Sequence, residues 1–221
     1  IKEKTKAGAN YFHNLVINGT SAASGTGYVT GTFDGLKKIL SGSDTEYTSA
    51  VDISTSALMD SNYNAYLDEL DGFISKLAEK PDILLMNNEL LTKTRAAARR
   101  AGFYERSVDG FGRTVEKYNG IPMMDVGQYY NGTKTIDVIE TTTPSATAYG
   151  ETAIYAVKLG LNAFHGISVD GSKMVHTYLP DLNAPGAVKK GEVEMLAGAV
   201  LKNSKMAGVL KGIKVKPKTA G

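Results

Sequence analysis

The 221-residue sequence is 42% hydrophobic and 22% charged, a composition typical of folded chains and not of disordered ones. Its 25 Lys and Arg residues against 23 Asp and Glu leave a net charge of +2, which is too small to indicate a dedicated nucleic-acid-binding protein. The absence of cysteine excludes disulfides and thiolate metal sites. No apolar run reaches the length of a membrane span, so we expect no membrane partner.

The first residues predict a helix over 2–17 that is already under way where the sequence begins, with Asn18-Gly19 as its stop. We therefore expect that an N-terminal part was processed or omitted. Residues 18–31 are small, polar and glycine-rich and lack the Gly-Lys-Ser/Thr of a phosphate loop, which favours a flexible surface loop. Residues 32–42 then predict a short helix.

Residues 60–80 carry apolar side chains at three- and four-residue steps, which predicts a helix with Asp60 or Ser61 as N-cap and Pro81 at its end. Residues 82–86 form a short continuous apolar run, the pattern of a strand covered on both faces. Asn87 or Asn88 suits the N-cap of a following helix that ends at Gly102. The order helix, strand, helix indicates a layered core of helices and strands.

Later residues favour strands. Residues 114–127 contain Asn119-Gly120 between two alternating segments, which predicts a hairpin, and Pro122 predicts that its second strand lies at an edge or a bulge. Further strand predictions cover residues 134–140, residues 152–160 and part of residues 186–201, where a strand is favoured over a buried helix. The triplet Asn131-Gly132-Thr133 is interpreted as a turn and not as a glycosylation site.

Signals for chemistry are weak. His13, His165 and His176 lie in unrelated contexts without metal-ligand spacing, so we expect no metal, no catalytic residue and no cofactor. Asp68, Glu69 and Asp71 share a predicted helix and are interpreted as a solvated face. The alternative is a small α/β enzyme that uses Asp68 or Asp71 beside the Asn87–Glu89 loop.

Arg95, Arg99 and Arg100 form a basic cluster on the helix that follows Asn87. Arg95 and Arg99 are four residues apart, so they share a face and repel each other unless an anion lies opposite. Two interpretations stay open. The cluster either pairs within the chain or forms a subunit interface at which a neighbour's carboxylates complete the pairs.

The C-terminal segment is rich in lysine and, from residue 202 to residue 218, contains no acidic residue. Lys205, Lys211, Lys214 and Lys216 are candidates for weak, salt-sensitive contacts with a DNA backbone. A solvated tail is the alternative. No aromatic residue is interleaved for base stacking, which argues against specific single-strand binding.

The order of motifs resembles that of tailed-bacteriophage or prophage major capsid proteins with the Hong Kong 97-type fold. The motifs span nearly the whole chain and occur in the order helix-INGT, FDGLKKIL, PDILLMNNELLTKTRAAARRAG, GRTVEKYNGIPMMDVG, ETAIYAVKLGLNAFHGIS and GAVLKNSKMAGVLKGI. The resemblance implies an α+β fold in which residues 1–49 begin a peripheral domain, residues 50–165 form an axial domain, and residues 166–221 close the peripheral domain. The family's N-terminal arm, extended loop and most of its spine helix have no counterpart in this sequence.

The resemblance further implies a structural protein, not an enzyme, that assembles through pentamers and hexamers into an icosahedral shell around a phage genome. Phe33 and Asp34 join the three arginines as interface candidates. Expected partners are the chain itself, scaffold, protease and portal proteins, and packaged double-stranded DNA. The expected location is the virion, and the host cytoplasm during assembly. The alternatives are an encapsulin-like shell around a protein cargo and a phage tail or connector component.

Overall fold

The structure, a computed structural model, has a mixed α+β fold built around one large sheet. It describes residues 2–21, 23–24, 27–28, 32–102, 105–108, 114–168, 174–179, 188 and 190–219, with the backbone alone at 23–24, 27–28 and 105–106. The helices in these ranges are α1 (Lys2–Asn18), α2 (Leu36–Ile39), α3 (Ser56–Ser75) and α4 (Asn88–Ala101). The strands are β1 (Ala23–Ser24), β2 (Gly27–Tyr28), β3 (Glu46–Thr48), β4 (Ile83–Met86), β5 (Glu105–Val108), β6 (Thr114–Tyr118), β7 (Ile121–Asp125), β8 (Gln128–Tyr130), β9 (Thr135–Asp137), β10 (Gly150–Val157), β11 (Phe164–Ser168), β12 (Val175–Tyr178), β13 (Glu192–Met195), β14 (Ala197–Leu201) and β15 (Ala207–Lys216).

The large sheet has seven strands in the order β3-β15-β10-β4-β7-β6-β5. Its central strands β10 and β15 are antiparallel, whereas β15 pairs with β3, and β4 with β7, in parallel. Four two-stranded sheets accompany it: β1-β2, β8-β9, β11-β14 and β12-β13. The large sheet therefore joins strands from distant parts of the sequence.

Each face of the large sheet carries its own hydrophobic core. Helices α3 and α4 cover one face, where Leu70 and Leu84 are fully buried. Helices α1 and α2 pack on the other face, where Ile17 and Leu36 are fully buried. Side chains alternate between the two cores along a strand because successive residues point to opposite faces. In β4, accordingly, Leu84 and Met86 belong to the α3–α4 core while Ile83 and Leu85 pack against the other.

The unit from β4 to α4 agrees with the sequence prediction. The strand spans Ile83–Met86, and Asn87 is the N-cap of α4, with its side chain accepting a bond from the Leu90 amide at 2.9 Å. Gly102 ends α4 at φ 81°, in the left-handed region that favours glycine at this position. These signals are local in the chain, and the prediction was confirmed for that reason.

The boundaries predicted for α3 were wrong at both ends. Its N-cap is Thr55, whose side chain accepts from the Leu58 amide at 3.2 Å, so Asp60 and Ser61 lie inside the helix. The helix ends at Ser75 and is followed by a turn at 76–79, so Pro81 does not terminate it. The periodic pattern did not distinguish helix from the irregular turn, because Leu77 is buried in the same core.

The hairpin predicted around Asn119-Gly120 is β6-β7. Both turn residues have positive φ, 50° and 73°, as a type I′ turn requires. The prediction for Pro122 was wrong, because β7 lies inside the sheet between β4 and β6. The sheet tolerates the proline because pairing of β7 with β4 begins only at Met123, one residue later.

The remaining predictions were confirmed in outline and differ in length. The helix predicted over 32–42 is the single turn α2, the strand over 134–140 is only Thr135–Asp137, and residues 192–201 form two strands instead of one. Asn131-Gly132 lies in the turn between β8 and β9. Of the glycine-rich stretch, the paired strands β1 and β2 are described, while residues 22, 25–26 and 29–31 lie outside the described residues.

The proposed division into peripheral and axial domains stays a prediction. Strands β3 and β15, which were assigned to the peripheral domain, share the seven-stranded sheet with β4, β7 and β10 of the axial domain.

Candidate functional site: surfaces for subunit contact

The arginine cluster of α4 divides into two paired residues and one exposed residue. The Nε atom of Arg95 lies 2.8 Å from one carboxylate oxygen of Glu116 and 2.9 Å from the other. The Nε atom of Arg100 donates to Asp60 at 2.6 Å. Arg99 is exposed and makes no ion pair within the described part of the chain. Arg99 is therefore the member with a charge left for another chain, and the interface role of all three stays a prediction.

Phe33 and Asp34, the other interface candidates, connect α1 to α2. The rings of Phe33 and Phe12 lie 5.8 Å apart between centroids. Asp34 accepts from the amide and the hydroxyl of Ser21 at 2.7 Å each and from Lys38 at 2.8 Å. The bond from Lys38, followed by the two from Ser21, lowers the pKa of the Asp34 carboxyl to about 2. Both residues thus have partners within the chain, and their interface role is untested.

Three of the four candidate DNA-binding lysines also have partners within the chain. Lys211 pairs with Glu46 at 2.6 Å and lowers the pKa of that carboxyl. Lys216 lies 3.2 Å from Glu89, and the Lys214 ammonium lies 5.0 Å from the centre of the Tyr149 ring. Among the described residues, only Lys205 of the four has an exposed side chain without such a contact. The predicted phosphate contact accordingly has less free charge than the sequence indicated.

Of the residues in the enzyme alternative, Asn87 and Asp71 are not brought together. Every polar atom of the Asn87 side chain is used: its amide nitrogen donates to Ile139, Thr141 and Thr152 at 2.9 to 3.1 Å, and its oxygen caps α4. Asp71 instead neighbours Tyr118, whose pKa is raised by burial and then by the Asp71 carboxylate.

Tyr118 pairs with Ile121 at the start of β7, whereas Asn87 follows the end of β4. Because β4 and β7 are parallel, these positions lie at opposite ends of their ladder. Asp71 therefore does not complete a carboxylate site around Asn87.

A cleft that the sequence analysis missed lies between α2 and the sheet face that α1 and α2 cover. Its volume is about 600 Å³. The floor is apolar and continues the α1–α2 core with Ile17, Ile139, Tyr155 and Val209, and the rim is polar and charged. The lining includes Gly212, at φ 73° inside the long strand β15. The signal in the sequence was this glycine within an otherwise alternating apolar segment, a pattern that indicates a bulge.

Among the described residues, no helix combines the length and hydrophobicity needed to cross a bilayer. Within the same ranges, no group of three or more His, Asp or Glu side chains is placed as metal ligands would be.

The arrangement of one large mixed sheet with helices on both faces is similar to the shell-protein fold of the Hong Kong 97 type. One solved structure with this likeness is the encapsulin of the holo-SrpI encapsulin complex from Synechococcus elongatus PCC 7942, with a TM-score of 0.54. The match covers 80% of this chain and 56% of the encapsulin chain at 13% identity. This chain thus spans little more than half of that protein's length, and at such identity the likeness is one of fold alone. No protein-family model and no curated protein sequence matches the chain.

Proposed function

We propose that this chain is a subunit of a self-assembling protein shell. The observation that carries the proposal is the likeness in fold to an encapsulin over 80% of the chain. Shell formation depends on the geometry of the subunit contacts: heterologous contacts close into pentamers and hexamers, and these rings tile a closed surface. Several modest contacts suffice because each subunit is held by more than one neighbour at once.

A structural role, without catalytic residue, metal or cofactor, forms part of this proposal. It is supported by the complete hydrogen bonding of Asn87 and by the separation of Asp71 from it. Arg99, exposed and without an ion pair in the described residues, supplies a charge that a neighbouring subunit can use.

Our first candidate for the shell is the capsid of a bacteriophage or prophage, with the virion as its location and the host cytoplasm as its place of assembly. The ordered motifs from FDGLKKIL to GAVLKNSKMAGVLKGI support it. In this candidate the partners are copies of the chain, scaffold, protease and portal proteins, and double-stranded DNA held by weak contacts to Lys205.

An encapsulin-like shell around a protein cargo is the second candidate, and two observations favour it. The structural likeness is to an encapsulin. Lys211, Lys214 and Lys216 are engaged within the chain and have less capacity to bind DNA.

Electron microscopy of the purified gene product that contains this chain tests the shell proposal. We expect closed particles or five- and six-membered rings in negative stain, together with a mass by light scattering that is many times that of one subunit. A protein that stays monomeric at every concentration would contradict the proposal.

The contents of the particles separate the two candidates. Nuclease-resistant DNA inside them is expected of a capsid. A co-purifying protein in a fixed ratio, without nucleic acid, is expected of an encapsulin-like shell.

A further inference from the structure

Two leucines stand exposed on the tight turn that follows β10. Leu159 is 52% exposed and Leu161 is 76% exposed. Apolar surface left in water costs about 25 cal/mol per Å² relative to burial, so this turn has free energy to gain from a contact. Residues 159–162 are called the leucine loop below.

The leucine loop is held in one conformation by a set of hydrogen bonds. The Leu159 amide donates to the Asp82 carboxylate at 2.9 Å, and this bond is the first cause of the lowered pKa of Asp82. Backbone bonds complete the set, running from Gly160 to Phe164, from Ala163 to Gly160, from Phe164 to Lys158 and from Lys202 to Ala163. A loop ordered in advance loses little conformational entropy on binding, and its leucines are therefore suited to be anchors.

The cleft that contains Gly212 has the properties of an acceptor for such a loop. At about 600 Å³ it is open to solvent above an apolar floor. Its rim includes the exposed hydroxyl residues Ser41 and Thr48, which can pair with the backbone of an inserted loop. It is called the Gly212 cleft below.

A β-bulge shapes the Gly212 cleft. Thr152 pairs with Ile213 and Ile154 pairs with Leu210, so two residues of β15 oppose the single residue Ala153. Gly212 is one of the two, and its positive φ disfavours any other residue. A Cβ atom there would also lie 3.1 Å from the Thr48 side chain. The bulge in β15 is thus a specific feature of the side of the Gly212 cleft that this strand forms, and not a chance irregularity.

The charges beside the leucine loop and on the rim of the Gly212 cleft are complementary. Glu140 and Glu151 line the cleft, and neither carboxylate makes an ion pair in the described part of the chain. The cation Lys37 lies on the same rim, and Lys211 is already paired with Glu46. Lys202, whose amide is bonded to Ala163 next to the leucine loop, is an exposed cation without an ion pair in those same residues. An incoming leucine loop therefore brings a positive charge to a rim with two unpaired carboxylates.

We propose that the Gly212 cleft of one subunit binds the leucine loop of a second copy of this chain. The two surfaces are different patches: the loop follows the last residue of β10, whereas the cleft lies along residues 151–155 of that strand. A contact between different patches is heterologous, so it continues from subunit to subunit instead of stopping at a dimer, and it forms a ring where the rotation closes. This inference rests on the proposed function and names one of its contacts.

An engineered disulfide tests the contact directly, because the chain has no cysteine of its own. Ser41→Cys in the cleft and Leu161→Cys in the loop, introduced together into the gene product that contains the chain, are both at exposed positions. After mild oxidation we expect a ladder of dimers, trimers and larger products on a non-reducing gel, since each subunit carries one donor and one acceptor. The matched control joins Ser41→Cys to Ser75→Cys, an exposed position at the end of α3 on the other face of the sheet, and should give no ladder.

A charge exchange provides a second measurement. Glu151→Lys and Lys202→Glu should each raise the protein concentration needed for assembly roughly tenfold, because each places like charges in contact. The double variant should return towards the concentration of the unmodified protein. Independent structural damage would instead add in the double variant.

The outcomes separate this inference from the proposed function. Shells that form without the ladder and without rescue by charge exchange overturn the inference and leave the shell proposal intact. A ladder that comes from open chains, with neither closed particles nor five- and six-membered rings, supports the inference and contradicts the shell proposal. A monomer that neither assembles nor cross-links overturns both proposals. A Ser41→Cys adduct with a different protein assigns the cleft to that partner and overturns the inference.

Discussion

The large sheet with its four helices and the region from β11 to β14 differ in how much of their apolar surface is buried. In the sheet, β10 buries six of its eight residues between two cores. In the second region, termed the ribbon and comprising the described residues of 164–201, no residue is classed as buried. The ribbon carries half of the exposed large hydrophobic side chains of the described chain: Ile167, Met174, Tyr178, Leu179, Val188 and Leu196.

The difference indicates which part of the chain is stable without a partner packed against it. The sheet body closes its cores and most of its ion pairs internally, whereas a two-stranded ribbon is marginal in water without something packed against it. Exposed apolar surface that is contiguous marks contact sites for other chains. The proposed function accounts for this contrast, because neighbouring subunits would cover the exposed apolar side chains of the ribbon.

The sharpest test of this contrast compares two leucines. Leu70→Ala should lower the free energy of unfolding by about 2–5 kcal/mol, because Leu70 is fully buried in the α3–α4 core. Leu196→Ala, at a ribbon position 43% exposed, should cost less than about 1 kcal/mol in the isolated subunit. Urea denaturation of both variants measures the two values. Equal losses would show that body and ribbon share one core and would remove the distinction.

A second test concerns the polar connections of the body. Asn87→Ala removes the cap of α4 and leaves the Ile139 carbonyl without its partner in a buried site, and we expect a loss of about 3 kcal/mol. Asn88→Ala is the matched control, since Asn88 is exposed and adjacent and should cost less than about 0.5 kcal/mol. The same denaturation experiment measures both. A loss in the free energy of unfolding below about 1 kcal/mol for Asn87→Ala would mean that its hydrogen bonds do not stabilise the contact between β4 and residues 139–152.

The smallest effect concerns acid stability. Because the pKa of Asp34 is lowered to about 2 in the folded chain, its carboxylate stabilises the fold above the unfolded pKa of about 3.9, and this contribution is lost as the pH falls towards 2. Asp34→Asn should remove that part of the acid dependence. NMR titration of the carboxyl measures the pKa directly.

Glu192 in the ribbon provides the contrast, since its pKa is lowered by the neighbouring Lys190 alone. Glu192→Gln should leave the acid midpoint of cooperative unfolding unchanged.

An Asp34 pKa near 3.9 would show that the link between α1 and α2 is not formed in solution.

Much of the secondary structure was predictable, and less of the surface was. The hairpin at Asn119-Gly120 and the helix from Asn87 to Gly102 follow from a few adjacent residues and were predicted from the sequence. The partners of the charged candidates were not, because Glu116 lies 21 residues from Arg95 and Glu46 lies 165 residues from Lys211. The Gly212 cleft was missed because five separate segments of the chain build it around a bulge.

Local sequence signals were sufficient for the mixed α+β class, for the helix and strand units with strong caps and turns, and for a resemblance to shell proteins with which the likeness in fold agrees. Those features depend on backbone conformations that neighbouring residues set through caps, turns and hydrophobic period. The tertiary structure was needed to place Pro122 inside the sheet and to leave Arg99 without an ion pair among the described residues while Arg95 and Arg100 are paired. It was also needed to expose an apolar cleft and two leucines to solvent. Burial and pairing are properties of segments brought together by the fold, and no local pattern contains them.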